Sequence, residues 1–310
     1  MQVFSKITDL TKVYPKIVAA LGAFDGVHIG HQSIIRQAVQ LARQIGGTSM
    51  VFTFSNHPLS VIAPEHMPKQ IGDNLSKEQI LASLGVDVLM NVPFTREFAK
   101  IAPEDFLSLL QTNFAPRYVV VGPNYTFGYR GKGTHRMLLR SGRAYGFKAE
   151  ICPVVLKDGR TVSSTRIREL LEEGDLSLVN EFLDRPFTFT GRVVHGDRRG
   201  RQLGFPTANL AIGDERAMLP NGVYAVKLRL REAAYYGIAN IGTNPTFEGC
   251  KRRLEVNIFD FSGDIYDAAL QVQFYEHLRN EQKFPSAEHL IRQLHKDERM
   301  AREIFHLQHG

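Results

Sequence analysis

The chain is poor in cysteine, in long apolar runs and in clustered charge, and each shortage removes a class of protein. Only Cys152 and Cys250 occur in 310 residues. They form no Cys-x-x-Cys pair and join no histidine at zinc spacing, so neither a disulfide framework nor a structural metal is implied, and a reducing compartment fits. No stretch approaches the roughly 20 apolar residues of a membrane span. Residues 1–14 alternate polar and apolar side chains without a continuous apolar core, so a soluble, cytoplasmic protein with no membrane partner is expected. Lys plus Arg number 38 against 32 Asp plus Glu, a net charge of +6, which suits anionic ligands. No run of five or six basic residues accompanies the excess, and no nucleic-acid partner is expected. Gly131-Lys132-Gly133-Thr134 lacks the Gly-Lys-Ser/Thr ending of a P-loop and does not follow a strand closely. No internal repeat or low-complexity tract is visible, and nothing in the sequence fixes the oligomeric state.

What is present is apolar material, 43% of the chain, enough for two cores. Residues 17–21, 49–54, 86–92, 118–122 and 149–155 read as buried strands. Between them, residues 33–45 carry a helical apolar stripe, Ser76 opens a helix with Gln79 in capping-box position, and Pro103 begins another over residues 104–110. Strand and helix in alternation make an α/β, doubly wound parallel sheet, with ligands expected beyond the strand ends where Leu21 feeds Gly22. Helices over 165–173, closed by Gly174, and 176–182 follow, and Asp184-Arg185-Pro186 reads as a linker. From Phe187 the period falls to two, with strands over 187–194, 222–230, 235–241, 254–259 and 270–274, which favours a small antiparallel β-barrel. A C-terminal helix over 286–307, with Leu290, Ile291, Leu294, Ile304 and Phe305 inward, packs on it. The expected division is residues 1–184 and 185–310, and a fragment from about residue 184 should work alone.

Two segments carry phosphate chemistry. Leu21 to His31 joins a strand to a helix through a turn with Gly22, Phe24, Asp25 and Gly30, and His28 and His31 fall on one face, where a nucleoside triphosphate fits across the helix start. The plainer reading makes both histidines helix-start hydrogen bonders. Downstream, Ser163, Ser164 and Thr165 cap a helix start while Arg166 and Arg168 suit a pyrophosphate leaving group; alone, these hydroxyls are simply a good cap. The second segment, Gly200 to Leu210, sets the Thr207 hydroxyl and the Asn209 amide two residues apart in an extended stretch beside Gly200 and Gly204. Two chemistries on one polypeptide suggest consecutive steps on one metabolite.

Together, the first motif and residues 162–168 resemble the HxGH and ISSTxxR elements of the nucleotidyltransferase superfamily. Class I aminoacyl-tRNA synthetases share the first, but no Lys-Met-Ser-Lys-Ser loop is present. Thr53 to Pro58 and Val121 to Gly128 resemble the internal motifs of bacterial FAD synthetases, and that resemblance implies that His57, Pro58 and Asn124 contact flavin or nucleotide; without it, His57 caps a strand end. Residues 191–196 and 200–209 resemble the riboflavin kinase signature, continued in 219–224, 240–247 and 254–260. The resemblance implies that Thr207 and Asn209 coordinate the Mg²⁺ carried by ATP and that Glu255 is the base facing the ribityl hydroxyl. Otherwise Pro-Thr-Ala-Asn is a turn and Glu255 a solvent-facing strand residue. One departure is Asp267, where the family usually has glycine. The chain is similar over nearly its whole length to the bifunctional prokaryotic FAD synthetase family, which implies two transferase steps: ATP phosphorylates riboflavin to FMN, and FMN attacks a second ATP to give FAD and pyrophosphate. The alternative keeps one active half beside a flavin- or nucleotide-binding, or RNA-regulatory, module.

Overall fold

Strands covered by helices on both faces need no polar alternation, and the first strands show none: every residue of Val18–Leu21 and of Val88–Val92 is buried. The computed structural model describes residues 1–10, 13–195, 204–246 and 249–307. They form two compact units, Met1–Pro68 with Asp73–Ser164, and Lys69–Gly72 with Thr165–Gly310. Gly200, a candidate phosphate-loop residue, lies outside the described residues.

The first unit holds β1 (Gln2–Phe4), β2 (Val18–Leu21), β3 (Ser49–Phe54), β4 (Val88–Val92), β5 (Tyr118–Val121), a short hairpin of β6 (Thr126–Phe127) with β7 (Gly133–Thr134), and β8 (Lys148–Ile151). The main sheet runs β1-β4-β3-β2-β5-β8, every neighbouring pair parallel. Its helices are α1 (Ile29–Gln44), α2 (Leu59–Ile62), α3 (Asn74–Ser83), α4 (Pro103–Phe114) and α5 (His135–Ser141). Successive side chains on a strand face opposite ways, so Leu21, Met50 and Met90 pack with α4 through Phe106, Leu107 and Leu110. Ala20, Val51 and Leu89 pack on the other face with Ile35 and Ala38 of α1 and Leu81 of α3. The chain leaves β2 toward β3 on one side and returns to β5 on the other, so the loop after Leu21 opens at the point where the winding reverses.

Two expectations for this unit change. Helix α1 begins at Ile29, earlier than the apolar stripe suggested, because His28 caps it. Helix α3 is capped by Asp73, whose carboxylate accepts the Ser76 N–H at 2.7 Å, so Ser76 is an internal, buried residue. Asp serves at an N-cap as well as Ser, and only the tertiary fold shows which of the two is used.

A hairpin of β9 (Leu156–Lys157) with β10 (Arg160–Thr161) leads to α6 (Ser164–Glu173) and α7 (Leu176–Leu183). The barrel follows: β11 (Phe187–Val194), β12 (Thr207–Ala211), β13 (Gly222–Leu230), β14 (Ala233–Thr246), β15 (Gly249–Ile258) and β16 (Ala269–Arg279), closed in the order β11-β12-β15-β14-β13-β16. All of its pairs are antiparallel, and closure leaves no open edge. Asp267 adopts φ +61°. Asp tolerates this left-handed conformation better than most residues, so the turn that glycine would permit is retained, with the Asp267 N–H donating to the Val193 carbonyl at 2.9 Å.

Helix α8 (Ala287–Ile304) is capped by the Ser286 hydroxyl, which accepts the His289 N–H. Of the expected inward set, Leu294, Ile304 and Phe305 pack on the barrel core at Val223, Ile238 and Phe259, though all five residues are only half-buried and the most buried positions are Asp297, Ala301 and Arg302. Ion pairs account for the difference. Arg279 donates to Asp297 at 2.8–3.0 Å, and Arg302 donates to Asp260 at 2.9–3.1 Å and to Glu298 at 3.0 Å.

Asp184 to Pro186 is a tight turn inside the second unit. Asp184 ends α7 in the left-handed region, and the Arg185 guanidinium donates to the Leu183 carbonyl at 2.9 Å. Asn180 of α7 accepts the Phe187 N–H at 2.7 Å and donates to the Phe274 carbonyl at 3.1 Å, tying α7 to β11 and β16. A fragment starting at 185 therefore loses buried Val179, Phe182 and Leu183, roughly 5–9 kcal/mol of apolar burial at about 1.5–3 kcal/mol each. That is comparable with the whole stability of a small domain, about 5–15 kcal/mol. Residues 165–310 should unfold in one cooperative urea transition, whereas 185–310 should show little folded baseline; equal midpoints would refute this account of α7.

Candidate functional sites

The turn between β2 and α1 is held in an uncommon conformation. Phe24, Gly26 and Val27 have φ of +51°, +75° and +39°, rare for a non-glycine residue and rarer for a β-branched one. Hydrogen bonds hold it: Thr53 Oγ1 to the Ala23 carbonyl at 3.0 Å, the Val27 N–H to the Phe24 carbonyl at 3.2 Å, and Gln32 Nε2 to the Val27 carbonyl at 3.1 Å. The chain thus reaches α1 with His28 at the N-cap, its Nδ1 accepting the His31 N–H at 3.3 Å. An accepting Nδ1 places the ring proton on Nε2, so that atom is a hydrogen-bond donor. The two imidazoles stack with centroids 3.7 Å apart and planes 20° apart, and Phe24 meets His31 edge-on at 5.3 Å. The plainer reading of His28 as a helix-start bonder is thus realised, and the same bond orients both rings.

Gly30 is needed for close approach: a Cβ there would stand 3.1 Å from the His28 ring and 3.6 Å from the Val162 carbonyl oxygen. At Gly22 a Cβ would meet the Phe24 ring at 2.8 Å. Ser164 Oγ donates to the Asp25 carbonyl at 3.1 Å, so Asp25, Gly30, His28 and His31 are gathered with residues 162–164, and Ser163 lies between Val162 and Ser164. Thr165, Arg166 and Arg168 belong to the second unit. There Arg166 is bonded to Glu169 at 2.9 Å and Glu173 at 3.0 Å, with Glu173 the main cause of its raised pKa. Arg168 Nε donates to the Lys69 carbonyl at 2.6 Å.

His57 and Asn124 follow β3 and β5, which flank β2 in the parallel sheet, so all three loops leave the same sheet edge. His57 Nδ1 accepts the Leu59 N–H at 3.1 Å, and Pro58 is the N-cap residue of α2. Asn124 is exposed in its turn, beside Tyr125, which stacks on Phe127 at 5.9 Å. Sequence reasoning missed two features of this edge. Phe54, Phe94 and Phe98 form an aromatic cluster with centroids 4.9–5.6 Å apart; Asn56 holds it by accepting the Phe94 N–H at 2.8 Å and donating to the Phe94 carbonyl at 3.1 Å. Lys77 Nζ donates to the Phe54 carbonyl at 2.9 Å, which a lysine on a helix does not announce.

In the second unit, β12, β15 and β14 align a polar row. Asn209 stands opposite Glu255, Glu255 opposite Asn240, and Thr207 opposite Asn257; such neighbours lie about 4.5–5.5 Å apart at Cβ. Leu254 and Val256 are fully buried inside the barrel, so Glu255 and Asn257 face outward. They floor a cavity of about 310 Å³ whose other walls include Phe205, Thr207, Phe284, Leu290 and Leu294. An open cleft of about 510 Å³ lies on the other side of Phe205, between Gly204 and Pro206 on one flank and Asp260, His295 and Arg302 on the other. Asn257 Nδ2 donates to the Pro206 carbonyl at 2.9 Å, and buried Asn209 donates its Nδ2 to the Thr207 carbonyl at 3.4 Å, leaving Oδ1 as its acceptor atom. A hydroxyl, an amide oxygen and one carboxylate suit Mg²⁺ arriving with phosphate oxygens. Among the described residues no group of three or more His, Cys, Asp and Glu could hold a metal ion without such help.

Residues 11–166 match the family model described as FAD synthetase, and residues 183–305 the one described as riboflavin kinase. The bifunctional riboflavin kinase/FMN adenylyltransferase of Bacillus subtilis (strain 168) is 38% identical over 299 residues, 94% of this chain and 93% of that protein. The protein of the same description from Escherichia coli (strain K12) is 38% identical over 293 residues, with the same coverage. The chain belongs to the bifunctional riboflavin kinase/FMN adenylyltransferase family. The crystal structure of a macrolide-efflux protein from Streptococcus pneumoniae shares the fold, with a TM-score of 0.85, 33% identity, and 97% of this chain and 98% of that one covered. Among the described residues here, no helix is long and apolar enough to cross a membrane.

The cavity of this family member depends on the Arg279–Asp297 pair, since Arg279 lines it and Asp297 is fully buried. Removing one partner of a buried pair costs about 3–5 kcal/mol, whereas replacing both with apolar residues is often neutral. Asp297→Ala should lower the urea midpoint of the barrel accordingly, and Arg279→Met with Asp297→Leu should recover most of the loss. A loss below about 1 kcal/mol in the single variant would show that the pair does not hold α8.

Proposed function

We propose that this chain makes FAD from riboflavin in two ATP-dependent steps, with the phosphorylation chemistry on residues 185–310, which need α7 to fold, and the adenylylation chemistry on residues 1–184. The observation that carries the reading is that one chain holds both constellations: the stacked His28 and His31 cap, and the Asn209–Glu255–Asn240 row beneath a largely apolar cavity. The cavity takes the isoalloxazine ring, with the ribityl chain toward Glu255. The Glu255 carboxylate accepts the proton of the 5′-hydroxyl as that oxygen attacks the γ-phosphorus of ATP, and ADP leaves. Thr207 and Asn209 would hold the Mg²⁺ that, when bound, neutralises phosphate charge, while Gly204 lets the backbone approach the nucleotide.

In the second step an FMN phosphate oxygen attacks the α-phosphorus of ATP, and the bond to the bridging oxygen breaks, releasing pyrophosphate. His28 Nε2–H and His31 face the charge that develops on the α-phosphate. Gly22, Phe24, Asp25, Gly30 and Asn124 hold the nucleotide, His57, Pro58 and Asn124 hold the flavin, and Ser163, Ser164, Thr165, Arg166 and Arg168 receive the pyrophosphate. Neither step needs a covalent enzyme intermediate, because both rest on positioning and charge stabilisation. The ligands are small molecules rather than nucleic acid, and the site of action is the cytoplasm. Incubation with riboflavin, ATP and Mg²⁺, followed by chromatography, should yield FMN and then FAD. FMN alone, or no product, would refute the two-step reading.

Replacing His28 by Asn keeps a good helix cap and removes the imidazole. His28→Asn should therefore lower FMN-to-FAD conversion by about 10²- to 10³-fold, the usual effect of deleting one preorganised donor, while riboflavin phosphorylation stays unchanged. Normal FAD formation would remove His28 from the mechanism.

Glu255→Gln and Asn209→Ala should differ in kind. Loss of the proton acceptor lowers kcat for phosphorylation by about 10²- to 10⁴-fold with little change in the KM for ATP. Loss of an oxygen ligand raises the Mg²⁺ requirement as well. Both variants should still convert supplied FMN to FAD, and steady-state kinetics of each half-reaction checks the distinction.

A further inference from the structure

Three elements of the first unit converge beside the His28 turn. Thr53, near the end of β3, donates to the turn at Ala23. The next two residues of that strand end receive α3: Lys77 Nζ donates to the Phe54 carbonyl at 2.9 Å, and Asn74 Nδ2 to the Ser55 carbonyl at 2.8 Å. Asp73 closes the same helix turn on the Ser76 N–H. Lys77 is thus held on a strand end, half-buried. Burial pushes its pKa down, against the attraction of the Asp25 and Glu78 carboxylates. Glu78 is its neighbour on α3, whereas Asp25 lies 52 residues away in the turn whose carbonyl receives Ser164. An ammonium drawn out of water is costly unless compensated, and a helix–strand tie alone needs only a neutral donor. The charge therefore has a use that the tie does not explain.

We propose that Lys77 is a positioning residue for adenylyl transfer: its ammonium, seated on the Phe54 carbonyl, holds the Asp25 carboxylate and with it the turn that presents His28 and His31. This rests on reading that turn as the adenylyl-transfer site. The attraction is between charges on different elements, α3 and the β2–α1 turn, and it acts on a segment with three residues in the left-handed region. Lys77 acts through Asp25 rather than on the reacting atoms, so its removal loosens the site without removing a group that touches substrate.

The test measures FMN adenylylation and riboflavin phosphorylation separately in the full chain. Lys77→Met should lower kcat for adenylylation about ten- to a hundredfold, the scale of a small misplacement of reacting groups, and leave phosphorylation unchanged. Lys77→Gln, which keeps a donor for Phe54, should lose nearly as much, and it carries the test if Lys77→Met does not fold. Lys77→Arg should recover part of the rate. Combined with Asp25→Asn, Lys77→Met should cost no more than the larger single change, because both remove one interaction. Additive losses, or a normal rate in Lys77→Gln, would overturn the proposal. His28→Asn serves as the reference: if it is impaired while both Lys77 variants are normal, the Lys77 role alone fails, and if His28→Asn is normal, the reading of the turn fails and the proposal with it.

Discussion

The first unit is organised by one hydrogen bond, from the His31 amide to the Nδ1 of His28. A helix start leaves several backbone donors without partners, and Ser, Thr, Asp or Asn satisfies them best. Histidine is a poor choice by that criterion. It also demands a turn in which Phe24 and Val27 take left-handed conformations that cost of order 1–3 kcal/mol each. A sequence selected for stability alone would place Asp or Ser at position 28 and relax the turn. What the histidine adds is a ring locked in one tautomer, stacked on a second ring, and aimed by the helix rather than by solvent. Gly22 and Gly30 fit the same logic, since each leaves room for a ring of this turn.

Register plays the organising part in the barrel. Along Leu254-Glu255-Val256 the side chains alternate between interior and exterior, so a slip of one residue would bury Glu255 and expose two core residues. The pairing of Asn209 with Glu255 and of Glu255 with Asn240 is therefore enforced by the apolar packing of the opposite face. The polar row is an outcome of the core, and its geometry is as rigid as the barrel. The cavity above it has a different origin. Helix α8 is anchored by Arg279–Asp297 and Arg302–Asp260, and its half-buried Leu290 and Leu294 serve as cavity wall, Leu294 while also packing on the core.

These two origins explain what was legible in the sequence. Strands β3, β11 and β13 were readable to the residue because each is a local pattern of apolar side chains bounded by turn residues. The short motifs at 21–31, 162–168 and 200–209 were readable because chemistry concentrates unusual residue types. Strand β12 read only as an extended segment: Thr-Ala-Asn has turn composition, and its strand character comes from its pairing with β15 and β11. The caps of α3 and the buried charges of α8 failed for a related reason. Asp73 and Ser76 are both good caps, and Asp297 and Arg302 look like surface residues until Arg279 and Asp260 are brought to them. Lys77 is the same case, a residue brought to the Phe54 carbonyl only by the fold.

Folding and chemistry also divide this chain at different places. The composition change at Asp184 to Pro186 marks where period-two strands begin, and it was natural to read a boundary there. Packing places α6 and α7 with the barrel: Asn180 is bonded to both β11 and β16, and Gly174 closes α6 so that Asp175 can cap α7 on the Leu178 N–H. Segment Lys69–Gly72 follows them, through bonds from the Gln70 N–H to the Glu215 carbonyl and from the Ala217 N–H to the Gln70 carbonyl. A stretch of four residues from the first half in sequence is thus part of the second half in structure. Within the second unit, Arg168 of α6 donates to the Lys69 carbonyl, and this segment is tied to α6 as well as to residues 215–217. The position of this segment is therefore set by hydrogen bonds to the second unit rather than by its place in the sequence, which a reading of composition along the chain has no means of finding.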